Sequence, residues 1–280
     1  MEVCMAKVQI PLEKFGLCVI TGGSSGIGEA FVNLLAVRCP ECRIINLSRS
    51  PLGEIKGTDN NIHISCDLSN DDSKKSAIKE LLRVIEEDSG ERKKLLLINN
   101  SGFGTYDTFP DPNLQSQLDM LEVNAKAPLW LTGELLSYLR TFGGAILNVA
   151  SIAGFQPTPY FATYGGTKAF LLNWSLALAE ELRPQGISVL TLCPGPVRTN
   201  FFKSAGFSSP PVNQWGGLTP DQVATAGLVS LERGRNLLIT GWNNRLLSFM
   251  TRFVPLRWIG RLSAFVMKKM RLEQFQTNRT

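Results

Sequence analysis

The chain has a single histidine, His63, among 280 residues. Metal hydrolases and Ser-His-Asp hydrolases both depend on histidine, so neither chemistry is expected. Cys39 and Cys42 form a CPEC sequence, but no second pair of ligands follows it. A helix-end turn with free thiols is expected there, in preference to zinc or a thioredoxin-like centre. No charged and then apolar leader opens the sequence, and no run of eighteen apolar residues occurs. With its six cysteines, this points to a reducing compartment and a cytoplasmic protein. Acidic residues are missing from Asn243 to Leu272, and from Asn243 onward eight Lys/Arg face one acid. Because the whole chain carries only +5, the preceding 242 residues are slightly acidic. That balance argues against nucleic acid as a partner of the main body.

What is present is a repeating pattern. Short apolar runs at 17–23, 43–49, 61–68, 94–102, 144–151, 186–195 and 236–242 predict seven strands. Between them, 27–37, 71–87, 112–140 and 160–183 have helical periodicity, and Pro184-Gln185-Gly186 ends the last of these. Apolar strands alternating with amphipathic helices imply an α/β fold, a parallel sheet covered on both faces. The expected organisation is one domain over 1–242 and a helical extension over 243–280. Ligands of such sheets bind beyond the carboxyl ends of the strands.

Two stretches at those ends carry chemistry. TGGSSGIG, Thr21 to Gly28, joins the first strand to the first helix. Gly22 permits the tight turn, and Gly26 and Gly28 let the backbone approach a pyrophosphate. The helix N-terminus offers N–H groups to its phosphates. The second stretch places Ser151 thirteen residues before Tyr164, and Lys168 four residues after it. Tyr164 and Lys168 should share one helix face. An ammonium beside a phenol favours the phenolate and lowers its pKa, suiting tyrosine to acid–base work on a substrate oxygen that Ser151 orients.

With INNSG at 98–102, EVNAKAP at 122–128 and CPGPVRT at 193–199, these motifs follow the order of a known family. The chain resembles a classical short-chain dehydrogenase/reductase over roughly 15–242, with Ser101 where the family usually has alanine. The resemblance implies a Rossmann-like doubly wound sheet and a catalytic set of Asn124, Ser151, Tyr164 and Lys168. Tyr164 would exchange the proton, Lys168 would lower its pKa and hold the cofactor ribose, and Asn124 would hold a water linking Lys168 to solvent. Implied cofactor contacts are Gly22, Ser24, Ser25, Gly26, Ile27, Gly28, Asp67, Leu68, Asn99, Asn100, Gly102, Pro194, Gly195, Val197 and Thr199. Arg49 ends the second strand, where an acid would read the 2′-OH of NAD; arginine suits a 2′-phosphate instead, so NADP(H) is expected. The activity implied is that of a ketoacyl- or hydroxysteroid-type reductase, assembled as a homo-oligomer (dimer or tetramer). A catalytically silent NADP-binding regulator and a membrane scaffold are the competing classes; the intact catalytic four count against the first, and vesicle binding without turnover would mark the second.

The segment 200–218 mixes Gly, Ser and Pro with aromatics. In the family the corresponding segment lids the pocket. Phe201, Phe202, Phe207 and Trp215, with Phe103, Phe155, Tyr160 and Phe161, would form an apolar wall for a lipophilic carbonyl substrate. Pro255 should split the basic tail into two helices. Such helices, with aromatics and no acids over 243–272, suit either a peripheral membrane contact or packing over the pocket or onto another subunit.

Overall fold

The central strands Phe15–Thr21, Lys94–Asn99, Gly144–Val149 and Ile187–Cys193 are buried on both faces, which is why the sequence shows apolar runs there and no alternation. The computed structural model describes residues 8–53, 61–87, 93–207 and 217–277, with side chains described through Lys268. The strands are β1 Phe15–Thr21, β2 Arg43–Ser48, β3 Ile62–Ser65, β4 Lys94–Asn99, β5 Gly144–Val149, β6 Ile187–Cys193 and β7 Leu237–Ile239. They form one parallel sheet in the order β3-β2-β1-β4-β5-β6-β7. The direction of winding reverses between β1 and β4, so a crevice opens there at the carboxyl ends.

Two helical layers cover the sheet. On one face lie α1 (Gly26–Arg38) and α7 (Pro220–Glu232), packing Phe31, Leu35, Val223 and Leu228 against Ile20, Ile98 and Leu147. On the other face lie α2 (Asp71–Glu87), α4 (Ala127–Phe142) and α5 (Ala162–Leu182), which bring Leu81, Leu131, Leu135 and Leu178 onto Val19, Leu97 and Ile146. The turn after α1 is closed by Cys42 N–H donating to the Cys39 carbonyl at 2.9 Å, and both thiols are free and buried. Cys18, Cys66 and Cys193 are likewise free and buried.

The predicted helix over 112–140 is interrupted. It starts as α3 (Leu114–Leu121), capped by Asn113 accepting from Ser116 N–H at 2.8 Å. A π turn at Glu122–Lys126 then separates it from α4. Helix α7 lies outside the predicted set. A capping box starts it: Thr219 Oγ1 accepts from Gln222 N–H at 3.2 Å, and Gln222 Oε1 accepts from Thr219 N–H at 3.0 Å. A short α6 (Phe201–Ser204) lies in the segment expected to be a loop. The tail does split at Pro255, into α8 (Trp242–Met250) and α9 (Leu256–Thr277). Among the described residues no helix is long and apolar enough to cross a membrane.

Candidate active site

The glycine turn is held from both sides. From β4, Asn100 and Ser101 donate their N–H groups to Thr21 Oγ1, each at 3.0 Å, and Asn100 Nδ2 donates to the carbonyls of Thr21 (3.0 Å) and Gly22 (3.1 Å). From β2, Asn46 Oδ1 accepts from Gly23 N–H at 2.8 Å. Gly22 and Gly26 adopt φ of +66° and +60°, conformations that glycine tolerates without strain. A Cβ on Gly28 would sit 2.1 Å from the Gly22 carbonyl oxygen and 2.5 Å from Asn100 Nδ2. Gly28 is therefore structural, keeping helix and turn in contact. Ser25 makes no side-chain cap, so the first N–H groups of α1 remain available to an anion.

From this turn a cleft of about 1330 Å³ runs along the carboxyl ends of the strands. Its first arm is lined by Gly22, Ser24, Ser25, Gly26, Ile27, Arg49, Asp67 and Leu68, its middle by Asn100, Gly102, Phe103, Ser151, Tyr164, Lys168, Pro194, Gly195, Val197 and Thr199, and its far arm by Phe161, Phe201, Phe202, Phe207 and Met267. Asp67 Oδ1 accepts from the hydroxyl (2.7 Å) and the N–H (2.9 Å) of Ser69. Those bonds, aided by the Arg49 charge, hold its carboxyl below the usual range. Five expected site residues lie off this lining, Gly28 among them, packed between α1 and the turn. Asn99 is buried in the sheet, donating to Asn148 Oδ1 at 2.8 Å. Phe155 turns away with its short helical turn to pack near Leu171, Leu172 and Cys193. Tyr160 stands behind the wall, edge-on to Tyr106 at 6.5 Å. Asn124 is buried within the π turn. Trp215 lies outside the described residues.

The middle of the cleft holds the acid–base groups. Ser151 follows β5 and caps the turn Ile152–Phe155, accepting from Ala153 N–H at 3.1 Å. Tyr164 and Lys168 lie one turn apart in α5, both buried. Lys168 Nζ donates to the Val149 carbonyl at 2.8 Å and lies 5.7 Å from the Tyr164 ring centre. Burial pushes the Tyr164 phenol up to about 12, against a hydrogen bond with Ser151 that acts the other way. The same burial pushes Lys168 down to about 8. The expected lowering of the phenol by its neighbouring ammonium is therefore reversed, because desolvation disfavours both charged forms more than anything nearby favours them.

The buried Asn124 side chain is held by protein groups. Its Nδ2 donates to the Phe103 carbonyl (2.8 Å) and to Thr167 Oγ1 (3.2 Å), while Oδ1 accepts from Phe103 N–H (3.0 Å). Both amide hydrogens are taken by protein, so the side chain fastens the Phe103 loop to α5.

A family model described as short chain dehydrogenase matches residues 17–207. The chain belongs to the short-chain dehydrogenase family. This short-chain dehydrogenase is 32% identical over 204 residues to an uncharacterised oxidoreductase of Staphylococcus epidermidis, covering 72% of this chain and 85% of that one. It is 35% identical over 190 residues to a very-long-chain 3-oxoacyl-CoA reductase of Kluyveromyces lactis, covering 63% of this chain and 53% of the relative. The match thus spans about half the length of that reductase. A short-chain dehydrogenase from Sphingobium yanoikuyae, solved in complex with NADPH, superposes with a TM-score of 0.71 at 26% identity, over 84% of this chain and 92% of that one. A 7beta-hydroxysteroid dehydrogenase structure, at 20% identity and TM-score 0.74, shares the fold over 92% of this chain and 100% of its own.

Sequence reasoning missed three residues of the short-chain dehydrogenase site. Asn46 was legible as the lone amide inside a buried strand, where an unpartnered polar group is costly. Tyr106 and Met267 had no local signal, because they meet only in the folded chain: the Tyr106 hydroxyl donates to the Met267 carbonyl at 2.5 Å.

Proposed function

We propose that this short-chain dehydrogenase uses NADP(H) to interconvert a ketone and a secondary alcohol, acting on a lipophilic carbonyl. The observation that carries the reading is the position of Tyr164. It lines the cleft together with Ser151 and Lys168, between the glycine-lined arm and the aromatic one. A dinucleotide fits the first arm, because its backbone is free of side chains at Gly22 and Gly26 and the α1 N-terminus can meet phosphate. Arg49 supplies a cation where a 2′-phosphate would be read.

The bound nicotinamide supplies the hydride; the remaining tasks fall to the chain. A carbonyl oxygen placed at the Tyr164–Ser151 junction accepts the Ser151 hydroxyl as a hydrogen-bond donor, which polarises it. Tyr164, whose raised pKa keeps it protonated at neutral pH, delivers its proton to that oxygen. Lys168, fixed on the Val149 carbonyl, gives the tyrosinate a cation to form beside. Phe161 stacks on Tyr164 at 4.3 Å and excludes water from the phenol. The aromatic arm, with Phe201, Phe202 and Phe207, favours an apolar substrate body. The 3-oxoacyl-CoA reductase relatives support a 3-ketoacyl-like carbonyl as the class to try first, with a steroid-like carbonyl second.

The test is nicotinamide fluorescence with NADPH and NADH on wild type and Arg49→Asp, followed by turnover of a panel of lipophilic ketones. Tighter NADPH binding that Arg49→Asp weakens by tens of fold, with turnover lost in Tyr164→Phe, is expected. Preference for NADH in the wild type would overturn the cofactor assignment. NADPH binding with no turnover across the panel would overturn the reductase assignment.

A further inference from the structure

The tail carries its apolar residues on the outside. In α8 the buried side is polar: Ser248 is 3% exposed, and Asn244 turns inward against Gly195 and donates to the Thr240 carbonyl at 2.7 Å. Outward point Trp242, 72% exposed, and Leu246, Leu247, Phe249 and Met250. A helix on a water-facing surface has the opposite arrangement. Phe253 and Val254 continue the exposed apolar surface between the helices. In α9, Ile259 is buried and Met267 reaches the cleft. Its outer side carries Trp258, Leu262 and Phe265, the last 71% exposed, at the i, i+4, i+7 spacing of one stripe.

Charge decides what covers this surface. Over Asn243–Leu272 the sequence has Arg245, Arg252, Arg257, Arg261, Lys268, Lys269 and Arg271 and no acid. The Arg257 and Arg261 guanidinium groups lie 5.7 and 5.3 Å from the Trp258 ring, at the edge of the apolar stripe. A second copy packed face to face would set these cations against their own kind. Nucleic acid would meet the cations but leave the apolar stripe in water. We infer that α8 and α9 form a docking surface for an anionic lipid bilayer. The aromatic and aliphatic side chains enter the boundary between headgroups and acyl chains, and the arginines and lysines meet the anionic headgroups. The inner side of α9 lines the far arm of the cleft through Met267. Docking therefore brings that arm to about 10 Å from the lipid, one helix diameter away. The docking itself does not rest on the proposed reductase activity.

The test is co-sedimentation of the full chain with vesicles of phosphatidylcholine alone and of phosphatidylcholine with phosphatidylglycerol. Wild type is expected to partition onto the anionic vesicles at least tenfold more strongly than onto the neutral ones, and less so as salt rises. The triple substitution Trp258→Ser, Leu262→Ser, Phe265→Ser should lower partitioning at least tenfold. Arg257→Glu with Arg261→Glu should remove the preference for phosphatidylglycerol. All five side chains are exposed, so NADPH binding and the thermal transition should be retained. If the triple variant misfolds, the charge pair, which keeps the apolar stripe whole, decides between the outcomes alone. Equal sedimentation of wild type with and without vesicles would overturn the inference. So would a wild-type dimer that ignores vesicles and that the triple substitution makes monomeric, since a second copy would then be the occupant.

Discussion

The hydroxyl of Tyr106 donates to the backbone carbonyl of Met267 across 2.5 Å, while the Tyr106 ring stacks on Phe207 at 4.0 Å. One side chain thus joins the segment after β4 to the tail helix and to the segment after α6. Tyr106→Phe keeps the ring and removes the hydroxyl's bond to α9. It should cost about 1 kcal/mol and speed amide hydrogen exchange over 256–268, with NADPH affinity unchanged. Unaltered exchange there would show that the bond does not hold the helix down.

Gly28→Ala tests the cradle. The new methyl would lie 2.1 Å from the Gly22 carbonyl oxygen, so helix α1 must retreat from the turn. Overpacking of this kind costs about 1–3 kcal/mol. NADPH affinity should fall at least a hundredfold, read by nicotinamide fluorescence, and the melting temperature should drop. Retained affinity would mean that the turn relaxes without disturbing the phosphate site.

Asn46→Leu leaves the Gly23 N–H without its 2.8 Å acceptor inside the sheet. The unsatisfied donor should cost about 1–3 kcal/mol in urea denaturation. NADPH binding should weaken as well, because the turn is then fastened only from β4. A loss of stability with full NADPH affinity would assign Asn46 to the fold alone.

Lys168 predicts a pH dependence. Burial lowers its pKa from 10.5 to about 8. Between those values the unfolded chain holds a proton that the folded protein lacks, so this group's contribution to stability rises with pH. Wild type should therefore gain on Lys168→Met as pH rises from 8 toward 10, by up to about 3 kcal/mol. Tyr164, raised to about 12, acts with the opposite sign above pH 10, where the unfolded chain loses a proton that the fold retains. Urea titrations from pH 7 to 10 separate the two. A constant difference between wild type and variant would show that Lys168 is not desolvated.

The legible parts of this protein are those written locally. The central strands could be placed because a strand buried on both faces has to be apolar along its length. Helix α7 escaped because Ala224, Gly227 and Ser230 make up much of its buried side and give a weak apolar period; the cue was the Thr219–Gln222 capping pair. The π turn depends on Asn124 reaching Phe103 and Thr167, partners that only the tertiary fold brings within range. Tyr164 and Lys168 were visible as a pair, but spacing says nothing about burial, and burial sets both pKa values. Phe155 and Phe161 look alike in sequence, yet one packs beside α5 and the other lines the cleft.

The five described cysteines, all buried and unbridged, have a practical consequence. Desolvation lifts their thiols, Cys42 and Cys193 to about 12 and Cys66 to about 11, so at neutral pH almost none is the thiolate that alkylating reagents and peroxides attack. With Cys4 replaced by serine, a cysteine introduced at the exposed Val37 would be the preferred target of a maleimide. These five buried thiols need not be removed before a fluorophore or spin label is attached.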